Sequence, residues 1–568
     1  MQGLVRNGKT LLSGIDPVRR AERTADAVSV RDRTLYLCPS PLYGYGLERL
    51  LARLVTESPN SAILCIEADP ELYELTEKSI SQFALQAPLT TSPGLRITNI
   101  CESVELCAFV RNAWGERAFR RIETIKFTGG WQLYPELYDS LCEALRREIA
   151  AGWSNALTLA KLGRLYIRNA LRNLTLISRF PSIAALCFGE APVLVLGAGP
   201  SLDETLNALN RRFNESFCRP ENRPFRIICV DTCLPALKDR NIVPDLAVIL
   251  ESQHWNLRDF IGCRGWNVPA AIDFSALPAS GKILAGDGYL FMTPWTPLRI
   301  FERLKAYDLL PAIIPPLGSV GLSTVEIARR LSRGKIICAG LDFSFTEDLY
   351  HARSTPGHRS RLNAQSRFNG LFNAAAYDPA AFTALSKSGA AVHSNPGMQN
   401  YRDLFEREFA ADPRLYDITG SGLPLGIKTL SPEEAFAILT ADSEQEYLTT
   451  NQHEPTQTTK DFGAKVRGRT IGTLSVVRGS IKDSSLTKKL LSFFHDEESR
   501  LVDLRDILSG EKAQERLSTL IDECDYLWAH FPDYSGCRPG LTDISFLKRL
   551  RTEIDPTLAL IERVVKDI

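Results

Sequence analysis

Five apolar runs near the middle of this 568-residue chain each end on residues that can bind or activate a polar ligand. Pro192-Val193-Leu194-Val195-Leu196 leads into Gly197-Ala198-Gly199-Pro200-Ser201, and Arg226-Ile227-Ile228-Cys229-Val230 leads into Asp231-Thr232. Leu246-Ala247-Val248-Ile249-Leu250 ends at Glu251-Ser252, Ala270-Ala271-Ile272 at Asp273, and Lys335-Ile336-Ile337-Cys338-Ala339 runs into Gly340-Leu341-Asp342. Glycines let a backbone approach a ligand with no Cβ in the way, and the free N–H groups that open a helix attract an anion. Ser201 is placed to cap such a helix over Leu202–Leu209, with Asp203 and Glu204 in its first turn. The Gly-x-Gly-Pro-Ser turn alone serves either a phosphate or a tight strand-to-helix connection, and any one Asp can equally be a helix cap. Together these strand ends describe a polar cleft along the carboxyl edge of a parallel sheet, where such sheets bind ligands.

A second loop, Pro315-Pro316-Leu317-Gly318-Ser319-Val320-Gly321, opens onto an apolar-periodic helix over Leu322–Leu331 and suits another anionic group, with Ser319 and Gly321 nearest to it. Between Asp342 and His358 the chain is polar and gathers Tyr350, His351, Arg353 and His358, the composition of a mobile lid over a strand end. A histidine of near-neutral pKa can deprotonate a hydroxyl, and a tyrosine can hydrogen-bond a departing phosphate. The same residues also suit an ordinary surface loop.

The elements that must position these groups follow from periodicity. Thr34–Cys38 and Ala62–Ile66 read as buried strands around a helix through Leu47, Leu50, Leu51 and Leu54. The second strand ends at Glu67, about 20 residues past Gly44 and Gly46, the place of a ribose-binding acid in dinucleotide folds. The loop lacks the third glycine of that fingerprint, so this unit reads as a structural relic of a cofactor site. From Leu137 to Ile177 a 3.6-residue period predicts two or three helices, and Asp442–Gly463 reads as a linker or exposed loop. Leu486–Leu508, Leu517–Trp528 and Phe546–Val565 predict a C-terminal helical bundle.

The fold class is therefore α/β. A Rossmann-like central domain with a mostly parallel sheet is expected at 190–430, and a smaller N-terminal Rossmann-like domain at 1–135. A helical connector is expected at 136–189, and a linker with the helical domain at 431–568. Lys and Arg total 67 against 67 Asp and Glu, so no basic excess supports a nucleic-acid partner. The 13 cysteines include no C-x-x-C, and buried thiols in a reducing compartment fit them better than a metal site. With neither an apolar leader nor a run of about 18 apolar residues, a cytoplasmic protein without a membrane span is expected.

Taken in order, GAGPSLDETLNALN (197–210), IICVDTCLPALKDRNIVPDLAVILES (227–252), GSVGLSTVEIARRL (318–331) and ICAGLDFSF…YHA (337–352) resemble the motility-associated factor (Maf) flagellin glycosyltransferases. That family shares its central domain with hydroxymethylpterin diphosphokinase-like proteins. The likeness extends to CPSPLYGYGLERLL…CIEADPELYEL near the N-terminus and to DITGSGLPLGIKTL (417–430), and is less specific at the C-terminus. It implies a sialyltransferase-like domain that moves a pseudaminic or legionaminic type sugar from a CMP-activated nine-carbon acidic donor to Ser/Thr of flagellin, with inversion and no obligatory metal or other cofactor. On this resemblance Gly197, Gly199, Pro200 and Ser201 would hold the nucleotide phosphate, and Asp231 and Thr232 would lie along the nucleotide. Ser319 and Gly321 would approach the sugar-phosphate, with Glu251 and Asp342 completing the binding set. Tyr350 would support the leaving phosphate, and His351 would be the general base.

Three positions depart from the pattern. Glu251 stands where relatives carry Asp, Ala198 where sialyltransferases carry Asn, and Tyr350 is the one evident member of a tyrosine pair. Two alternatives stay open. One is a pterin-type diphosphokinase using ATP, with Mg²⁺ among Asp231, Glu251 and Asp342, although no P-loop Lys is present. The other is a non-catalytic flagellin-binding protein on the same fold.

Overall fold

Apolar runs without alternating polar residues can hide both faces only inside a sheet covered on each side, and parallel sheets provide that cover. The computed structural model, which describes residues 4–84, 94–115, 118–213, 215–372, 378–450, 484–511, 514–531 and 543–568, builds two such sheets. The chain divides into two compact units, Met1–Arg164 with Leu527–Leu550, and Leu165–Tyr526 with Arg551–Ile568.

In the first unit a hairpin of β1 (Leu4–Arg6) and β2 (Lys9–Leu12) precedes β3 (Thr34–Pro39), β4 (Ala62–Ile66), β5 (Leu95–Thr98) and β6 (Arg121–Thr124). These last four strands are parallel, in the order β5-β4-β3-β6. At the carboxyl edge Glu67 is fully buried, accepts a 2.7 Å hydrogen bond from Ser40 Oγ, and lies 3.5 Å from the Tyr138 hydroxyl. A Cβ on Gly130 would sit 2.1 Å from Ser40 Oγ, so the loops are closed on one another. Glu67 therefore joins the loops at this edge and, being fully buried, presents no oxygen to a ribose.

The large sheet of the second unit has nine strands: β7 (Val193–Leu196), β8 (Arg226–Val230), β9 (Leu246–Ile249), β10 (Ala270–Asp273), β11 (Gly288–Met292), β12 (Ala312–Ile313), β13 (Ile336–Ala339), β16 (Leu415–Ile418) and β17 (Lys428–Leu430). A separate hairpin, β14 (Phe382–Leu385) with β15 (Ala391–Ser394), interrupts them in sequence. All neighbours in the order β12-β11-β10-β9-β8-β7-β13-β16-β17 are parallel. The chain steps outward from β7 to β12 and then returns to the far side of β7, so the order reverses between β7 and β13.

Where two or three connecting helices were predicted, there is one, Pro135–Asn173. Its glycines are tolerated at about 1 kcal/mol each because apolar positions on one face recur without a break, and Gly163 leaves room for His530, whose Cβ would lie 2.8 Å from an added Cβ. The last turns of this helix bear directly on the sheet edge. Asn169 Nδ2 donates to the carbonyls of Ser252 and Ser275 at 3.0 Å each, and Asn173 Nδ2 to those of Phe274 and Ala276 at 2.9 and 2.8 Å. These four carbonyls lie beyond the hydrogen-bonded ends of β9 and β10, and buried carbonyls need such donors.

The predicted linker is corrected in part. The helix Pro432–Thr450 runs through its first residues, while 451–463 lie outside the described residues. Helices Ser484–Leu508, Leu517–Glu523 and Ile544–Lys566 match the predicted C-terminal periodicity. Nine of the twelve described cysteines are buried. No helix among the described residues is long and apolar enough to cross a membrane.

Within the second unit Glu497 is fully buried and accepts from Arg303 Nη2 at 2.9 Å, Arg500 Nη1 at 3.1 Å and the Tyr526 hydroxyl at 3.3 Å. Deleting one partner of a buried ion pair leaves the other charge unpaired, at a cost of about 3–5 kcal/mol. Glu497→Ala should therefore lower the stability of the full chain by about that amount in urea unfolding. A loss below about 1 kcal/mol, the level of a surface pair, would contradict this account.

Candidate functional site

The reversal of strand order between β7 and β13 brings the loops after these two strands side by side, and the glycines make that approach possible. A Cβ on Gly197 would lie 2.4 Å from the Gly340 carbonyl oxygen, and one on Gly199 would lie 2.5 Å from Asp342 Oδ2. Gly340 has φ +69°, where side chains other than glycine are strained. Gly197 N–H donates to Ala339 O and Gly199 N–H to Gly340 O, both at 2.8 Å. The Asp342 carboxylate, 2% exposed, accepts from Ser201 N at 2.7 Å and from Ser201 Oγ at 2.5 Å.

This corrects two expectations. Ser201 does not cap its own helix, Leu202–Arg212; it has helical backbone angles, and its hydroxyl turns to Asp342. Gly197, Gly199 and Ser201 have no N–H left for a ligand phosphate, because Gly340 and Ala339 carbonyls and the Asp342 carboxylate already take them, while Pro200 has none to give. The helix dipole that would draw a phosphate draws Asp342 instead.

The second glycine loop behaves differently. Ser319 precedes the helix Val320–Leu331 without a side-chain cap, and among the described residues the N–H groups of Val320, Gly321 and Leu322 meet no backbone acceptor. Over this open helix start stands Tyr401, whose Cε1 would lie 3.3 Å from a Cβ on Gly318. Tyr401 belongs to the helix Pro396–Phe409, capped by Asn395 Oδ1 accepting from Met398 N at 2.9 Å. The same Asn395 donates through Nδ2 to Asp378 at 2.8 Å and to the Tyr350 hydroxyl at 3.4 Å.

Tyr350 stacks on Phe345 at 4.6 Å and lies 5.2 Å from the His351 ring. The next residues are fastened to the first glycine loop: Ala352 N donates to Ala198 O at 3.0 Å, and Arg353 N to Asp203 Oδ2 at 2.8 Å. Phe345 and His393 also exchange backbone hydrogen bonds of 2.8 and 2.9 Å. The segment predicted to be a lid is thus anchored at three points. His351 also departs from the near-neutral pKa expected of it: burial, followed by the charges of Arg361 and His358, pulls it down to about 4. It is a neutral imidazole at physiological pH.

The remaining carboxylates end separate strands and hold separate partners. Asp231 is buried, accepting from Thr232 N at 2.9 Å and from Asn256 Nδ2 at 2.6 Å, and Asn256 also donates to Asp259 Oδ2 at 3.3 Å. Burial and then the charge of Asp259 raise Asp231 to about 7, and burial raises Asp259 to about 6. Glu251 is exposed and accepts from Gln253 N at 2.8 Å, while Asp273, fully buried and raised to about 6 by burial, accepts from Ser275 and Thr293. Tyr166 joins this end of the edge, 5.1 Å from Trp295, its pKa pushed to about 12 by burial and then by Glu251 and Asp273. Asp231, Glu251 and Asp342 are not gathered into a metal clamp; β7 stands between the strands bearing the first and the last.

Sequence reasoning missed Tyr166, Tyr401, Asn256 and Asp259. Tyr401 carried a signal, since Asn395-Pro396 is a cap followed by a first-turn proline that starts its helix. Nothing local marked the others.

A carboxyl with a raised native pKa holds its proton where the unfolded chain has released its own. The stability it contributes is therefore greatest near pH 4 and falls as pH rises to about 7 for Asp231. Asp231→Asn removes this dependence. It should reduce the stability lost between pH 5 and pH 8 by about 1–3 kcal/mol, measured by denaturant unfolding at each pH. Equal losses in the two proteins would contradict the assignment.

Residues 167–348 match the family described as 6-hydroxymethylpterin diphosphokinase MptE-like. An uncharacterized protein of Treponema pallidum (strain Nichols) is 30% identical over 561 residues, covering 96% of this chain and 90% of its own length. A solved structure of a Maf glycosyltransferase from Magnetospirillum magneticum AMB-1 aligns with a TM-score of 0.47 and 14% identity, over 100% of this chain and 82% of that one.

Proposed function

We propose that this chain, which belongs to one family with the Treponema pallidum protein and carries an MptE-like domain at its centre, is a glycosyltransferase. In this reading it takes a nine-carbon acidic sugar of the pseudaminic or legionaminic type from its CMP-activated form and places it on Ser/Thr hydroxyls of flagellin in the cytoplasm. The observation that carries the proposal is the open helix start at Ser319–Leu322 with Tyr401 over it, on the same sheet edge as Tyr350 and His351. A leaving phosphate needs hydrogen-bond donors where its charge develops, and preorganised backbone N–H groups and tyrosine hydroxyls supply them.

The phosphate lies on Val320, Gly321, Leu322 and Ser319, with Tyr401 and Tyr350 as the tyrosine pair that the sequence alone did not supply. Asp231, Thr232 and Glu251 read the nucleotide's hydroxyls and amine, while Gly197, Gly199, Pro200, Ser201 and Asp342 set the spacing of the cleft floor. The acceptor oxygen attacks the anomeric carbon as the bond to the CMP phosphate oxygen breaks, inverting the centre, and its proton passes to neutral His351.

A second assignment of the base rests on the raised carboxyls: Asp231 and Asp259 titrate nearer to neutrality than His351 does. The diphosphokinase reading needs carboxylates converging on Mg²⁺, and Asp231, Glu251 and Asp342 are held apart on their own partners.

Incubating the full chain with CMP-pseudaminic or CMP-legionaminic acid and flagellin should raise the intact mass of flagellin by whole sugar units. No gain with either donor would overturn the transferase reading. His351→Ala should lower turnover by about 10²–10⁴-fold if it is the base.

The pH profile separates the two bases. The acid limb of kcat/KM reports the free enzyme's base, so it falls near pH 4 for His351 and at about 6–7 for the aspartate pair.

A further inference from the structure

Beyond the sheet edge, the second unit contains a cavity of about 280 Å³ whose lining includes Arg172, Asn173, Lys282, Arg563 and Asp567. None of these belongs to the candidate site, and Asn173 lies about two helical turns past Tyr166. The volume is close to the lower end for small-molecule pockets, about 300 Å³.

Three features mark its chemistry. The first is an excess of positive charge: Arg172, Lys282 and Arg563 face one space, and among the described residues none has a carboxylate within ion-pair distance. Burial, then the like charges of Arg168 and Arg563, push the Arg172 guanidinium below its ordinary value, as expected of cations crowded without a counter-ion. The second is Asn173. It is 1% exposed, its Nδ2 is spent on two carbonyls, and its Oδ1 is buried without a hydrogen-bond partner. Because both Nδ2 bonds go to acceptors, the amide orientation is settled and Oδ1 is an acceptor awaiting a donor. The third is Asp567, a second acceptor in the lining, which repels a bare anion but takes a hydroxyl.

We propose that this cavity binds a phosphate monoester of a small polyol. Its phosphate lies among Arg172, Lys282 and Arg563, and its hydroxyls donate to Asn173 Oδ1 and Asp567. The guanidiniums suit the phosphate's geometry, and a buried unpaired acceptor favours a ligand that brings a donor over one that does not. Since Arg563 and Asp567 come from the C-terminal helix and its end, the ligand also ties that segment to the helix bearing Asn173.

Calorimetric titration of the full chain at low salt tests this with glycerol 3-phosphate, inorganic phosphate and glycerol as probes. Glycerol 3-phosphate should bind saturably with one site, at least tenfold more tightly than inorganic phosphate, and glycerol should give no heat. Arg563→Gln and Lys282→Gln, both at exposed positions, should each weaken binding about tenfold while leaving the ligand-free melting curve unchanged. Absence of saturation with glycerol 3-phosphate overturns the site. Affinity undiminished in both variants places the ligand elsewhere and also overturns it. Equal affinity for inorganic phosphate overturns the polyol assignment. None of these outcomes depends on glycosyl transfer, so this proposal and the transferase reading can fail separately.

Discussion

The Asp342 carboxylate is the constraint on which the carboxyl edge of the second unit's sheet depends. It leaves the loop after β13, crosses to the loop after β7 and takes both the backbone N–H and the hydroxyl of Ser201. A carboxylate at a helix start is stabilised by the same partial charges that would hold a phosphate, so the protein has placed its own anion there. The two loops then have to approach within van der Waals contact, which Gly197, Gly199 and Gly340 allow and any side chain at those positions would prevent. Where Ala352, Arg353 and the Tyr350–His351 pair lie follows from this joint, because the segment that carries them bonds to Ala198 and Asp203 beside it.

The first unit also has a carboxylate–serine pair, but between sequential neighbours rather than at its own reversal of strand order, which lies between β3 and β6. Glu67 and Ser40 close the carboxyl edge between β3 and β4 much as Asp342 and Ser201 close the edge between β7 and β13. In the second unit the crevice at the reversal of strand order is occupied by an internal carboxylate–serine pair. Along the larger sheet the start of the helix Val320–Leu331 differs: among the described residues its first N–H groups remain without backbone acceptors.

How far the sequence disclosed this depends on the range of each interaction. The apolar strands were plain, because a strand buried on both faces writes its burial directly into consecutive residues. The carboxylates at their ends, including Asp231, Glu251, Asp273 and Asp342, were legible for the same reason. Their partners were not. Ser201 meets Asp342 across 141 residues, and no periodicity encodes a contact of that separation. The glycines looked like a phosphate loop because the requirement for a missing Cβ is the same whether the approaching atom belongs to a ligand or to Asp342. Tyr166 and Tyr401 sit on helices whose spacing describes the packed face, and which helix lies over which strand end is decided only by the fold.

The helix Pro135–Asn173 has a further property that follows from Asn169 and Asn173. Four residues apart, they lie on one face, and each amide bridges two carbonyls beyond β9 and β10. One residue earlier in each case stands an arginine, Arg168 and Arg172. A single-residue insertion just upstream would turn that face by about 100°, replacing two bridging amides with two long cations, and a deletion would put Ala170 and Leu174 there instead. The helix thus has a reading frame: the number of residues ahead of Asn169 decides which chemistry is delivered to the sheet.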